Sequence, residues 1–129
     1  MKKIMVLFLF IMCLSMHCHA FELDSNRWTW VQSDDKIGVF YDSVNIEYSD
    51  QRYAGVWVCI YSAVQDEYYL NYTLFDKYDN FSKIYKAIIY DSNGDYICGI
   101  IYNDPEKIPL VDGSEMSFVK NRVFANEVE

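Results

Sequence analysis

Short segments in which apolar and polar residues alternate fill most of the chain, and they predict β-strands joined by tight turns. Tyrosine, tryptophan and β-branched residues dominate these segments, and only two prolines occur in the chain. The segments predicted to be strands are 27–33, 37–42, a short 46–48, 52–62, 68–78, 82–92 and 95–103. The pattern therefore predicts an antiparallel sheet of about six strands.

A helical pattern of apolar residues appears near the C-terminus. It follows an irregular segment that contains both prolines, Pro105 and Pro109, which restrict its backbone. Met116, Val119 and Val123 recur at helical spacing. Asp112, followed three positions later by Glu115, resembles a capping box with Asp112 as the N-cap. The expected fold class is therefore α+β: an antiparallel sheet with one C-terminal helix of about three turns packed on one face.

The stretch YDSNGDYICG places Asn93 and Gly94 between two alternating segments, which is the strongest local signal for a β-hairpin. A two-residue type I′ turn needs positive φ at both residues, and it would place Tyr90 opposite Ile97. The acidic residues in the stretch raise the alternative of a calcium loop. An EF-hand loop needs glycine and glutamate where this sequence has tyrosines, so a turn is predicted.

The segment 52–62 is apolar or aromatic on both faces, with Tyr53 and Trp57 on one side and Val56 and Val58 on the other. Such a strand is expected to be central and covered on both sides. One helix, about 10 Å wide, is too narrow to cover a six-strand sheet about 25 Å wide. Sheet curvature, a second subunit or a partner must cover the rest, and the candidate interface residues are Tyr53, Trp57, Tyr61, Tyr69, Tyr72 and Tyr85.

The N-terminus resembles a secretory signal peptide: Lys2 and Lys3 precede an apolar run at 4–16, and small residues precede a cleavage site after Ala20. The run is shorter than the ~20 residues that span a bilayer. An uncleaved anchor and a lipid-modified Cys18 are alternatives that fit the pattern less well. Residues 1–20 are predicted to be a signal peptide, and 21–129 a single domain in the periplasm, at the cell surface or secreted.

Removal of this segment would change the chemistry of the chain, because it holds both histidines and two of the four cysteines. Without histidine there is no Ser-His or Cys-His nucleophile pair, and a zinc site would need an uncommon set of ligands. Loss of Lys2 and Lys3 takes the formal net charge from −8 to −10. This acidity disfavours nucleic acids and anionic membranes as partners. No cofactor, no metal site and no membrane span after cleavage are predicted.

Cys59 and Cys98 are the two cysteines of the predicted mature chain. An exported protein can form a disulfide, but a bridge needs Cα atoms ~4.4–6.8 Å apart. Two cysteines on strands more often pack as small hydrophobic residues. A disulfide is therefore the less favoured state, and both thiols are predicted to be buried.

Several weak motifs occur in a suggestive order: WTWVQSDDKIGVFYDSVNI, YAGVWVCIYS, YYLNYTLFDKY, KIYKAIIYDSNGDYICG and IPLVDGSEMSFVKNRVF. Over nearly the whole predicted mature chain this order resembles the surface-adhesin protein E-like domain family of bacteria with Gram-negative-type envelopes. The resemblance implies an antiparallel sheet with a packed helix, export, dimers, and binding to host or extracellular ligands. Members often carry cysteines after the LFD-like stretch and near the last helix, where this chain has none. No family disulfide and no catalytic residue is therefore carried over.

Two functions follow as hypotheses. The first is an exported, non-enzymatic, adhesin-like domain that binds a host or extracellular protein through an aromatic sheet face. The alternative is a periplasmic structural or accessory protein of the cell envelope, homodimeric and without a soluble ligand. An enzyme would need a working carboxylate pair, and the candidates Asp34–Asp35 and Asp66–Glu67 lie in predicted turns. No enzymatic activity is therefore predicted.

Overall fold

The computed structural model describes residues 20–125, so the predicted signal peptide lies, except for Ala20, outside the described residues. The described strands are β1 (Trp28–Ser33), β2 (Ile37–Asp42), β3 (Glu47–Ser49), β4 (Tyr53–Ser62), β5 (Glu67–Asp76), β6 (Phe81–Asp91), β7 (Tyr96–Ile101) and β8 (Ile108–Pro109), and the helix is α1 (Glu115–Ala125). Within residues 20–125, no helix combines the length and apolar character needed to cross a membrane.

The main sheet has the strand order β1-β2-β4-β5-β6-β7, and every neighbouring pair is antiparallel. The short strand β3 pairs with the start of β4, and β8 pairs with the start of β6. The predicted α+β class, with about six main strands and a final helix packed on the sheet, is confirmed. The predicted strand bounds agree with the structure to within two residues, but β8 lies in a segment predicted to be irregular.

The helix covers one face of the sheet, here called the helix face. Val119 and Val123 are fully buried there and pack in one cluster with Ala54, Val56 and Val58 of the central strand β4. The alternation along β4 puts these small and β-branched residues on one side, which lets the helix approach closely. Burying each valine contributes on the order of 1.5–2 kcal/mol, so this contact is a main source of stability.

The helix begins two residues later than its sequence pattern predicts. Ser114 is the N-cap: its Oγ accepts the backbone N–H of Ser117 at 3.3 Å. Its carbonyl accepts the N–H of Phe118 at 3.1 Å, the first bond of the helix. The predicted cap at Asp112 is wrong, because that residue lies in a turn with Gly113 at φ +84°. A turn with positive φ at this point favours glycine, so the helix cannot start before it.

The N-terminal segment covers part of the opposite face, here called the aromatic face. Phe21 stacks on Tyr90 with their ring centroids 5.1 Å apart. Its ring also meets the rings of Tyr68 at 5.2 Å and Trp28 at 5.7 Å, both in edge-on geometry. Edge-on and offset contacts of this kind add about 0.5–1.5 kcal/mol each beyond area burial. The first residues after the predicted cleavage site are therefore part of the fold.

Two arginine–aspartate pairs fix the ends of neighbouring strands. Arg27, directly before β1, donates from Nε to Asp42 at the end of β2, at 2.6 Å. Arg52, directly before β4, donates from Nε to both carboxylate oxygens of Asp76 at the end of β5, at 3.0 and 3.1 Å. Both aspartates are buried. The Arg52 hydrogen bond lowers the pKa of Asp76, so this pair stabilises the fold above the unfolded pKa of aspartate and less as pH falls through the lowered value.

The β6–β7 hairpin forms where Asn93-Gly94 predicted it, but the predicted type I′ turn is wrong. Gly94 has positive φ, +86°, whereas Asn93 does not. The N–H of Gly94 donates to the carbonyl of Asp91, and the N–H of Asp91 donates to the carbonyl of Asp95, both at 2.9 Å. The loop therefore has three residues and ends on a glycine in the left-handed region.

The longer loop changes the register only near the turn. Tyr90 lies opposite Tyr96, and not opposite Ile97 as predicted. Ile97 is an extra, bulged residue, after which Ile89 pairs with Cys98 and the predicted register holds to the end of the hairpin. The bulge thus compensates for the added loop residue.

Gly94 and Gly113 allow a test of how the N-terminal segment rests on this hairpin. Both have positive φ, which costs an L-residue about 1–2 kcal/mol. A Cβ at Gly94 would lie 2.3 Å from the carbonyl oxygen of Phe21, whereas one at Gly113 would meet no atom within 4 Å. We expect Gly94→Ala to lower the free energy of unfolding by about 2–3 kcal/mol and Gly113→Ala by about 1 kcal/mol, measured by urea denaturation.

Gly113→Ala is the matched control, because it carries the backbone strain without the steric clash. Equal losses in the two variants would contradict the described contact between the N-terminal segment and the turn.

Candidate binding surface

The six residues proposed as an interface do not share one surface. Tyr69 lies on the helix face, since its partner Ile60 packs against the core under the helix. Tyr85 is a bulged residue of β6 and lines, together with Tyr53, a cleft at one end of the aromatic face. The other four lie on the aromatic face: Tyr53, Trp57, Tyr61 and Tyr72.

Trp57 and Tyr72 form the centre of the aromatic face that the N-terminal segment leaves uncovered. They are cross-strand partners, their ring centroids lie 5.3 Å apart, and both side chains are half-buried. Tyr53, the first residue of β4, lies on the same side. These three residues are called the aromatic platform below.

Gly55 lets the ring of Tyr72 lie across β4. A Cβ at Gly55 would come within 2.3 Å of the Tyr72 hydroxyl oxygen, so only glycine leaves room for this ring. The hydroxyl donates to the carboxylate of Glu47 on β3 at 2.9 Å. Burial, followed by this hydrogen bond, raises the pKa of Tyr72 to about 12. The phenol therefore stays protonated and holds the ring in one orientation at any physiological pH.

Two further tyrosine hydroxyls are held by carboxylates in the same way. Tyr61 donates to Asp66 at 2.7 Å, and this bond raises the pKa of the Tyr61 phenol. Tyr69 donates to Glu67 at 2.6 Å, with the same effect on its pKa. Bonds to a charged acceptor are stronger than those between neutral groups. The rings of Tyr61, Tyr69 and Tyr72 are thus fixed in place by acidic groups.

Basic side chains gather in a cleft of about 310 Å³ beside the platform, which Arg52, Lys83 and Lys107 line. The guanidinium of Arg52 is paired with Asp76 at 2.9 Å. The ammonium of Lys107 lies 4.6 Å from the ring centroid of Phe81, within cation–π range. Because aspartates also line this cleft, its charges largely offset one another.

The densest run of exposed apolar residues in the described chain lies along the edge strand β7 and was not predicted from the sequence. This run is called the apolar edge, and it comprises Tyr96, Ile97, Ile100, Ile101 and Tyr102. The one sequence signal for it is position, since β7 is the last long strand before an irregular segment. The last strand of a sheet often has a neighbour on one side only.

The two cysteines lie on opposite faces and are separated by two strands. Both are free. Cys59 is fully buried on the aromatic face, and burial raises the pKa of its thiol to about 12. The prediction that Cys98 is buried is wrong: it is half-buried, because β7 is an edge strand beyond the reach of the helix.

Asp34, Asp35 and Asp66, three of the four carboxylates considered for catalysis, lie in connections between strands as predicted, whereas Glu67 is the first residue of β5. Asp34 accepts the backbone N–H of Lys36 and of Ile37 at 2.7 and 2.8 Å, and these bonds lower the pKa of its carboxyl. Asp66 holds the hydroxyl of Tyr61. In the part of the chain that the structure describes, no group of three or more His, Cys, Asp or Glu is placed to hold a metal ion.

Comparison of the chain with protein-family models, with curated proteins and with solved structures found no match. The resemblance to the surface-adhesin protein E-like family therefore stays a prediction.

The two thiols should differ in reactivity towards an aromatic disulfide reagent at pH 8. Cys98 should react in the native protein, while Cys59 should react only after unfolding, because it is buried with a pKa of about 12. For the chain 21–129, which lacks Cys13 and Cys18, we expect about one reactive thiol per chain without denaturant and about two with it. Cys98→Ser is the control and should remove the native reaction alone. Zero thiols under both conditions would instead reveal a disulfide.

Proposed function

We propose that this protein is an exported, non-enzymatic binding domain that contacts a host or extracellular protein through its aromatic platform. The observation that carries the proposal is the half-buried pair Trp57–Tyr72, with the Tyr72 ring held by Glu47, on the face that the helix does not cover. Large aromatic side chains held in one orientation supply contact area at a low cost in conformational entropy. Tyrosine and tryptophan dominate the energetics of many interfaces for this reason.

The net acidity of the chain favours a partner with a basic surface, although Lys86 is the cross-strand neighbour of Tyr72 and basic side chains line the adjoining cleft. Glu47, which holds Tyr72, carries a carboxylate beside the platform and is exposed. The whole chain has a formal net charge of −8. An arginine-rich or lysine-rich ligand surface would be attracted to it, which mainly increases the association rate and weakens at high salt.

Export is proposed from the basic, apolar and small residues that precede Phe21 in the sequence. The position of Phe21 supports the proposal, because its ring packs among Tyr90, Tyr68 and Trp28. A chain that begins at this residue would have its N-terminus anchored on the sheet from the start.

A periplasmic structural or accessory protein, homodimeric and without a soluble ligand, is the second candidate. The apolar edge favours it, because exposed apolar area of this extent marks a contact surface. The two candidates differ in which surface matters, and substitution on the platform separates them.

Trp57→Leu tests the platform, because it keeps apolar packing and removes the flat ring. The chain 21–129 would be immobilised and exposed to a panel of purified extracellular-matrix glycoproteins in surface plasmon resonance. For any protein that binds the wild type, we expect at least about a tenfold loss of affinity, about 1.4 kcal/mol, because truncating an energetically important interface residue costs more than about 1 kcal/mol.

Phe118→Leu is the matched control, since it removes an exposed ring from the helix on the opposite side of the sheet. It should change the affinity less than about twofold. Equal losses in the two variants, or no binding to any member of the panel, would argue against the platform and for the accessory protein.

A further inference from the structure

Strand β7 ends the sheet with one side unpaired. It is the last strand in the sheet order, and the N–H of Tyr102 donates to the carbonyl of Tyr85 on β6 at 2.9 Å. Alternate residues of an antiparallel strand bond to the same neighbour. The even-numbered residues after the bulge therefore face β6, while Gly99 and Ile101 direct their N–H and C=O groups outward. Such an edge accepts another antiparallel strand.

The side chains of this edge give it little protection from a second strand. Tyr96 is 64% exposed and Ile101 is 71% exposed. The sequence from Tyr96 to Asn103 contains no charged residue, although proteins commonly place lysine or proline on an open edge. The bulge at Ile97 interrupts the start of β7 and leaves residues 98–102 regular.

We propose that two copies of this chain pair antiparallel through β7, about a twofold axis at Ile100, and so join their two sheets into one. Residues 98–102, which are the regular part of β7 extended by the bond of Tyr102 to Tyr85, are centred on Ile100. This register pairs the outward-facing groups of Gly99 with those of Ile101 of the second copy. The bulky Ile101 then lies beside a glycine. The two Ile100 residues meet as a non-hydrogen-bonded pair, with Cα atoms about 4.5 Å apart.

The composition and charge of this edge favour a second copy as the occupant. The chain carries a net charge of −8, so two copies repel one another over most of their surface. An uncharged strand at the margin of the molecule is where they can approach.

The opposite edge of the sheet is protected, so pairing is directed to β7. Arg122 of the helix donates from Nη1 to the carbonyl of Trp30 on β1 at 2.9 Å. A bulge at Val31 further interrupts that strand. A contact of β7 with β7 is isologous and closes as a dimer, whereas a contact between unlike edges would extend into a filament.

Cysteine cross-linking tests this register in a Cys98→Ser background, with Cys59 protected by burial. Ile100→Cys would place two thiols across the axis, within the ~4.4–6.8 Å Cα range of a disulfide. We expect mild oxidation at micromolar concentration to give mainly the covalent dimer. Ile101→Cys is the matched control. Ile101 is more exposed than Ile100, 71% against 45%. In the proposed register, however, the Cα atoms of residue 101 in the two copies lie farther apart than the ~7 Å that a disulfide can bridge. Ile101→Cys should cross-link at least about tenfold more slowly.

Sedimentation velocity of the chain 21–129 gives a second readout, and the wild type should be a dimer. Ile100→Lys would bring two ammonium groups together at the axis and should give a monomer. Val64→Lys makes the same charge change at a 78% exposed site in the β4–β5 turn and should remain a dimer. A monomeric wild type, faster cross-linking of Ile101→Cys, or equal dissociation by both lysine variants would each overturn the proposal.

Discussion

The central strand β4 has no polar face, and this constraint organises the molecule. Val56 and Val58 on one side and Trp57 and Cys59 on the other all favour burial, so the sheet needs a cover on each face. The C-terminal helix supplies one cover. The N-terminal segment, led by Phe21, supplies part of the other. Because these covers come from opposite ends of the chain, the core is complete only when the whole domain has folded.

Alternation was enough to predict the strands, because a period of two is a local property of the sequence. Turn type was not predictable from residue pairs. At Asn93-Gly94 the Asp91 carboxylate accepts two backbone N–H groups, each at 2.9 Å, and stabilises a longer loop. The β3–β4 turn, by contrast, has positive φ at both Asp50 and Gln51, 57° and 55°, without any glycine. Side-chain hydrogen bonds and the pairing of the flanking strands determine the type of such a turn, and neither can be predicted from two residues alone.

For the candidate site, the sequence predicted only which residues of a single strand share a face. The alternation put Trp57 and Tyr53 on one side of β4, where the structure has them. Grouping Tyr69 with them failed, because adjacent strands must be aligned before their faces can be matched. Glu47 could not be foreseen as the acceptor for Tyr72, since β3 and β5 meet only through β4. The packing of the N-terminal segment on the aromatic face could not be predicted either, because an irregular segment has no periodic pattern of apolar residues.

The two proposed surfaces are connected by the sheet itself. One row of cross-strand neighbours on the aromatic face runs from Trp57 through Tyr72 and Lys86 to Ile101. Pairing of β7 about a twofold axis perpendicular to the sheet would continue this row into the second copy and place both aromatic platforms on the same side. A ligand with repeated binding sites would then meet two platforms held at a fixed separation, and its second contact would be intramolecular. Edge pairing would thereby raise the avidity of the proposed platform for such a ligand, without any new contact to the ligand.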